Sequence, residues 1–120
     1  MIKKTLVIGA STDPSRYSFL AAKSLLRHQH KIELLGRNEG KIGENEIKTG
    51  KPSLEDIDTI TLYLNPKHQA EYYDYLLGLK PRRVIFNPGT ENTEFEELLS
   101  QNNIESIEAC TLVMLSTGQY

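Results

Sequence analysis

The chain has 120 residues, the length of one domain spanning 1–120, and such a chain should bury roughly 65% of its unfolded surface without disulfide or metal staples. Lys and Arg number 14 against 16 Asp and Glu, a net charge of −2; a general electrostatic nucleic-acid binder would be more basic. Ordinary Gly and Pro content argues against long disorder and fibrous character, and no apolar run approaches a membrane span.

The opening segment Met1-Ile2-Lys3-Lys4-Thr5-Leu6-Val7-Ile8-Gly9 carries charge and then an apolar run. That run is too short for a signal-peptide core, and Gly9 and Asp13 interrupt it. Cys110 is the single cysteine, so no internal disulfide forms, and the expected setting is reducing and cytoplasmic. His28, His30 and His68 make no zinc pattern with it.

Thr5-Leu6-Val7-Ile8 is short, continuous and β-branched, which predicts a strand buried on both faces. Asp13-Pro14-Ser15 marks a turn and a helix start, with Phe19, Leu20, Ala22, Leu25 and Leu26 at helical spacing up to about His28. Lys31 to Leu35 reads as the second strand. A polar, Gly-rich stretch follows from Arg37 to Pro52, and Ser53-Leu54-Glu55-Asp56 suits a single helical turn. Thr59 to Leu64 is the third strand. Asn65 and Pro66 suit a helix cap and first helical position, opening a helix to about Leu77 that Gly78 ends.

Arg83 to Phe86 is the fourth strand and Asn87-Pro88-Gly89 a turn. Thr93 and Glu96 fit a capping box, with the helix reaching about Asn102. Ile104 to Glu108 is the fifth strand. A tail from Thr111 to Tyr120 has the apolar centre Leu112-Val113-Met114-Leu115, suited to covering the sheet or to a dimer contact. This alternation predicts an α/β, Rossmann-like doubly wound sheet of five parallel strands with helices on both faces. The expected order is 3-2-1-4-5, with the flavodoxin-like 2-1-3-4-5 as alternative.

In open α/β sheets, ligands bind beyond the carboxyl ends of the strands, where strand order reverses. The first such turn is Gly9-Ala10-Ser11-Thr12-Asp13-Pro14-Ser15-Arg16-Tyr17-Ser18. Gly9 permits a tight turn, the following helix start favours an anion, Ser11, Thr12 and Ser18 add hydroxyls, and Arg16 adds charge. The dinucleotide fingerprint G-x-G-x-x-G is absent, because Ser11 stands where its second Gly would be. After the second strand, Arg37 replaces the acidic residue that NAD binders use and suits a phosphate on an adenosine ribose, as in NADP or coenzyme A. The turns at Asn65-Pro66 and Asn87-Pro88-Gly89 carry no ionised groups. No nucleophile–base pair or carboxylate dyad is identifiable from spacing, and no metal site is expected.

These residues resemble the small, stand-alone CoA-binding domain proteins and the N-terminal CoA-binding domain of the succinyl-CoA synthetase alpha subunit. The likeness rests on Val7-Ile8-Gly9-Ala10-Ser11-Thr12-Asp13-Pro14 with Arg16 and Ser18. It extends to Ser53-Leu54-Glu55-Asp56-Ile57, Leu64-Asn65-Pro66, Val84-Ile85-Phe86-Asn87-Pro88-Gly89-Thr90 and Ile107-Glu108-Ala109-Cys110-Thr111. The resemblance implies CoA or acyl-CoA as ligand. Gly9, Ser11, Thr12, Arg16 and Ser18 would hold its phosphates beside Ala10, Asn65 and Pro66 would border the adenosine, and Asn87, Pro88 and Gly89 would line the rest. Many members have Asn-Pro where this chain has Gly36-Arg37-Asn38-Glu39-Gly40. The implied function is a CoA-binding module without catalytic residues, with a small NADP-dependent oxidoreductase or NADP sensor as alternative. The expected partners are a small-molecule CoA or CoA thioester, with a homodimer or partner enzyme, and neither nucleic acid nor membrane.

Overall fold

In a computed structural model, residues 3–120 are described; Met1 and Ile2, which begin the opening charged segment, lie outside them. Strands β1 (Thr5–Ile8), β2 (Ile32–Leu35), β5 (Thr59–Leu62), β6 (Arg83–Phe86) and β7 (Glu105–Glu108) correspond to the strands read from the sequence. Two more, β3 (Gly40–Ile42) and β4 (Asn45–Lys48), lie in the stretch read as loop. The sheet has seven strands in the order β3-β4-β2-β1-β5-β6-β7. All pairs are parallel except β3 with β4.

Both the expected strand count and the expected order are therefore corrected. The five anticipated strands stand as 2-1-3-4-5, with the third, now β5, paired to β1 rather than outside β2. The place outside β2 belongs to β4, whose Ile47 aligns with Leu34. Counting the parallel strands alone gives β4-β2-β1-β5-β6-β7, which is 3-2-1-4-5-6, the order of a doubly wound dinucleotide sheet. The hairpin escapes sequence reading because its apolar signal is so thin. Ile42 and Ile47 are buried, but Lys41, Glu44 and Glu46 around them are exposed. Gly43, at φ +62, makes the tight turn between them.

The parallel strands are buried on both faces, which accounts for their continuous apolar runs. Along β1, Leu6 and Ile8 join Leu62, Phe86, Leu76, Phe95 and Leu99 in one core. Val7 turns the other way and joins Leu34, Ile47, Ala22, Leu25 and Leu115 in a second. The first face is covered by α2 (Pro66–Gln69), a 3-10 turn at Ala70–Tyr72, α3 (Tyr73–Gly78) and α4 (Thr93–Gln101). The second is covered by α1 (Tyr17–Arg27) and α5 (Thr111–Ser116). Among the described residues no helix is long and apolar enough to cross a membrane.

Several local expectations are also corrected. α1 begins at Tyr17 rather than near Asp13, because the Asp13 carboxylate takes both the amide and the hydroxyl of Ser15 and holds the chain in a turn. Residues 53–56 form no helical turn; Asp56 sits at φ +58 while Leu54 and Ile57 pack into the core. The helix expected over 66–77 is broken by the 3-10 turn, where buried Gln69 reaches inward to Leu64 O and Thr90 O. The cap of α4 is Asn92, not Thr93: Asn92 Oδ1 accepts from Phe95 N at 3.1 Å. The apolar tail is helix α5, with Leu115 in the second core.

Candidate functional site

Two clefts open at the carboxyl edge of the sheet where β1 lies between β2 and β5, and they share Gly9, Arg37 and Leu64. The first, about 260 Å3, has an apolar floor of Ile8, Leu35 and Leu64 and polar walls from His68, Glu71 and Tyr72, with Thr49 and Gly50 at its side. The second, about 280 Å3, lies between the first turn, the segment 37–39 and Tyr63. Each alone falls just below the range of about 300–1,000 Å3 usual for ligand sites, and the two joined fall within it.

Gly9 makes this junction. Its φ is +90, and a Cβ there would stand 2.8 Å from Tyr63 O, so only glycine lets β1 turn this close to β5. The amides of Gly9 and Ala10 are already engaged, both donating to Leu35 O at 2.9 and 3.0 Å. Beyond them the picture changes. Among the described residues, the amides of Ser11, Thr12, Tyr17, Ser18 and Phe19 have no acceptor, and Arg16 provides no side-chain cap to α1. No acidic residue occupies the first turn of α1, so its positive end is uncompensated there. Arg16 is exposed and loosely paired to Asp13 at 3.9 Å. Hydrogen bonds from Ser15 hold the Asp13 carboxyl below its usual range, so a fixed negative charge stands just upstream of these amides.

Of the residues singled out from the sequence, Gly9, Ala10, Ser11, Thr12, Arg16 and Arg37 come together around the second cleft. Ser18 is buried in the first turn of α1 and lines neither cleft. Asn65, Pro66, Pro88 and Gly89 are exposed and also line neither. Asn87 is 1% exposed, and its amide is fully used: Nδ2 donates to Thr61 Oγ1 and Leu62 O, and Oδ1 accepts from Thr111 N. It ties β5, β6 and α5 together behind the clefts.

Sequence reading missed His68, Glu71 and Tyr72 of the first cleft. They follow the Asn65-Pro66 helix start at spacings that share one helical face, a signal that was available. Thr49 and Gly50 had none, because their place depends on β4. Tyr63 walls the second cleft. Its hydroxyl is buried without a hydrogen-bond partner, although the Thr61 and Thr111 hydroxyls lie near it. Burial is the main cause pushing this phenol up to about 12, the Cys110 thiol adds to it, and Thr111 and Thr61 oppose it. The group is a neutral phenol at physiological pH.

The chain matches the family model of the CoA binding domain over residues 3–116. No curated protein matches it. Among solved structures it is similar to one described as the crystal structure of an uncharacterized protein, at 50% identity and TM-score 0.98, covering 100% of this chain and 99% of that one. A Thermus thermophilus protein matches at 22% identity and TM-score 0.85, covering 99% and 91%. A conserved hypothetical protein from Pyrococcus furiosus matches at 23% identity and TM-score 0.81, covering 93% and 98%. The last two speak to the fold alone. With the family match spanning nearly its whole length, the chain belongs to the CoA-binding domain family.

Proposed function

We propose that the joined clefts hold coenzyme A or an acyl-CoA, and that the chain is a binding module with no catalytic residue of its own. The observation that carries this is that Ser11 and Thr12, whose amides have no acceptor among the described residues, line the second cleft with Arg16, directly before the open amides of Tyr17, Ser18 and Phe19 at the start of α1. A diphosphate supplies the acceptors these donors lack and the negative charge the helix start favours. In this reading Gly9 and Ala10 permit the close approach, while Ser11, Thr12, Arg16 and the amide of Ser18 meet the phosphates. Arg37, exposed where the two clefts meet, takes the phosphate on the adenosine ribose. Asn65, Pro66, Pro88 and Gly89 border the remainder of the ligand at the rim, and Asn87 serves by fixing the edge behind it. A cytoplasmic setting, and a second copy or partner enzyme that uses the thioester, complete the reading.

NADP is the second reading, and Arg37 is what favours it. Ser11 weighs against it, since the glycine that brings a dinucleotide diphosphate close is missing. Thermal unfolding with CoA, acetyl-CoA, NAD and NADP side by side separates them. A ligand at a hundredfold excess over its Kd stabilises by about 2.7 kcal/mol. CoA and acetyl-CoA should raise the midpoint and NAD should not. A rise with NADP alone would move the assignment to the nicotinamide cofactor, and no rise with any of the four would remove the ligand reading.

A further inference from the structure

The edge of the sheet opposite the clefts holds a cluster the ligand reading does not use. Arg83 opens β6 and is 4% exposed, yet among the described residues no Asp or Glu lies within ion-pair distance of it. Its Nε donates to Thr59 Oγ1 at 2.9 Å, and its Nη2 donates to the main-chain oxygen of Tyr120 at 3.1 Å. The guanidinium carbon stands 4.5 Å from the Tyr120 ring centroid. The buried Arg83 cation is held here by the Tyr120 main-chain oxygen and an aromatic face. Lys3 Nζ donates to the same Tyr120 oxygen and lies 5.3 Å from the same ring. The Tyr120 hydroxyl meets Thr5 Oγ1.

Tyr120 is therefore an anchor. The amides of Gln119 and Tyr120 both return to Met114 O, at 2.7 and 3.1 Å, so the segment is wound onto α5. Tyr120 also packs in the same core as Leu115, Ala22 and Leu25. The other end of α5 is held at the ligand edge, where Thr111 N donates to Asn87. The helix is fastened at both edges of the sheet.

His30 completes the lower fastening. Its ring meets the Tyr120 ring edge-on, with centroids 4.9 Å apart and planes at 61°. Its Nδ1 accepts the main-chain N–H of Lys3 at 2.9 Å. A nitrogen that accepts from an amide carries no proton. Protonation would set an N–H against an N–H and add a positive charge beside Lys3. We propose that His30, Lys3, Arg83 and Tyr120 form a pH-sensitive latch: neutral His30 keeps Tyr120 seated and α5 held down, and protonation of His30 unseats Tyr120 and loosens α5. The titratable groups acting on His30 are Lys3 before β1, the N-terminal amine, His28 at the end of α1 and Tyr120 after α5, with Arg83 of β6 across the Tyr120 ring. No Asp or Glu is among them. Burial first, then the charges of Lys3 and His28 and, more weakly, the N-terminal amine, hold the imidazole below its usual range, with the main-chain hydrogen bond at Lys3 opposing them.

The sign follows. The loosened state takes up the proton more readily than the latched one, so latching is complete above the free imidazole's value of about 6.5 and is lost as pH falls through the lower latched value. The test is hydrogen exchange on the full chain between pH 7.5 and 5, corrected for the intrinsic exchange rate. Protection of the Thr117, Gln119 and Tyr120 amides should fall by up to about tenfold per pH unit below roughly 6.5, while β1 and β5 keep theirs. His30→Gln, which retains an acceptor for the Lys3 amide but does not titrate, should abolish the step, and His28→Gln should retain it. In the unmodified chain, an NMR titration should give the same midpoint for the His30 ring and for the α5 amides. Unchanged α5 protection across this range, a step that survives in His30→Gln, or α5 amides that titrate apart from His30 would each overturn the latch.

Discussion

Two turns at the same edge of the sheet use polar residues in opposite ways. The turn after β1 leaves the amides of Ser11, Thr12, Tyr17, Ser18 and Phe19 without acceptors among the described residues. The turn after β6 spends its side chains on itself, although among the described residues the amides of Glu91, Asn92, Thr93 and Glu94 at the start of α4 also have no acceptor. Asn87 joins Thr61, Leu62 and Thr111, and its carbonyl accepts from both Thr90 N and Thr90 Oγ1. Gly89 N donates to Glu91. Gln69 holds Thr90 O, and Asn92 caps α4 while reaching Gln69 Oε1 and Tyr73. A polar turn at the ligand edge is thus not by itself a ligand site. Bonded side chains make the second turn a rigid frame with Glu94 and Glu96 in the turn that follows, whereas in the proposed reading the first turn, with Arg16 and no acidic residue in the first turn of α1, takes the ligand.

Substitutions can break this contrast, beginning with the frame. Asn87→Ala leaves Thr111 N, Thr61 Oγ1 and Leu62 O short of partners in a buried site. It should destabilise the fold by about 3 kcal/mol in urea titrations, with CoA affinity within a fewfold of the parent while the chain is folded. A loss of CoA affinity without a loss of stability would return Asn87 to the ligand. Arg16→Ala should behave in reverse. Its pair with Asp13 is exposed and long, so stability should stay within about 0.5 kcal/mol. Losing a charge-assisted phosphate contact should weaken CoA about tenfold or more, or roughly 1.5 kcal/mol by calorimetry. Unchanged affinity would remove Arg16 from the site.

The contrast also marks how far the sequence could be read. The parallel strands were legible because each is buried on both faces and so apolar throughout, as Thr5–Ile8 and Thr59–Leu62 are. β3 and β4 were not, because only Ile42 and Ile47 are buried between charged neighbours, and without them the third expected strand takes the place outside β2 that belongs to β4. The first turn was legible because Gly9, the following helix start and Arg16 carry their chemistry locally. The bonds of Asn87 are not legible locally, since its partners Thr61 and Thr111 lie 26 and 24 residues away. His68 and Tyr72 were legible as one helical face, but nothing local says that β2 and β4 end opposite them. The corrections at Tyr17 and Asn92 are each set by one side chain, Asp13 or Asn92, that captured a nearby amide.

The most direct test is an amide-resolved NMR titration of the 15N-labelled chain with coenzyme A. If the free donors of the first turn are the diphosphate site, the largest shifts fall on Ser11, Thr12, Tyr17, Ser18 and Phe19, and the Gly89, Thr90 and Phe95 amides stay near their starting positions. Shifts concentrated at Gly89–Asn92 with the first turn unmoved would contradict the account.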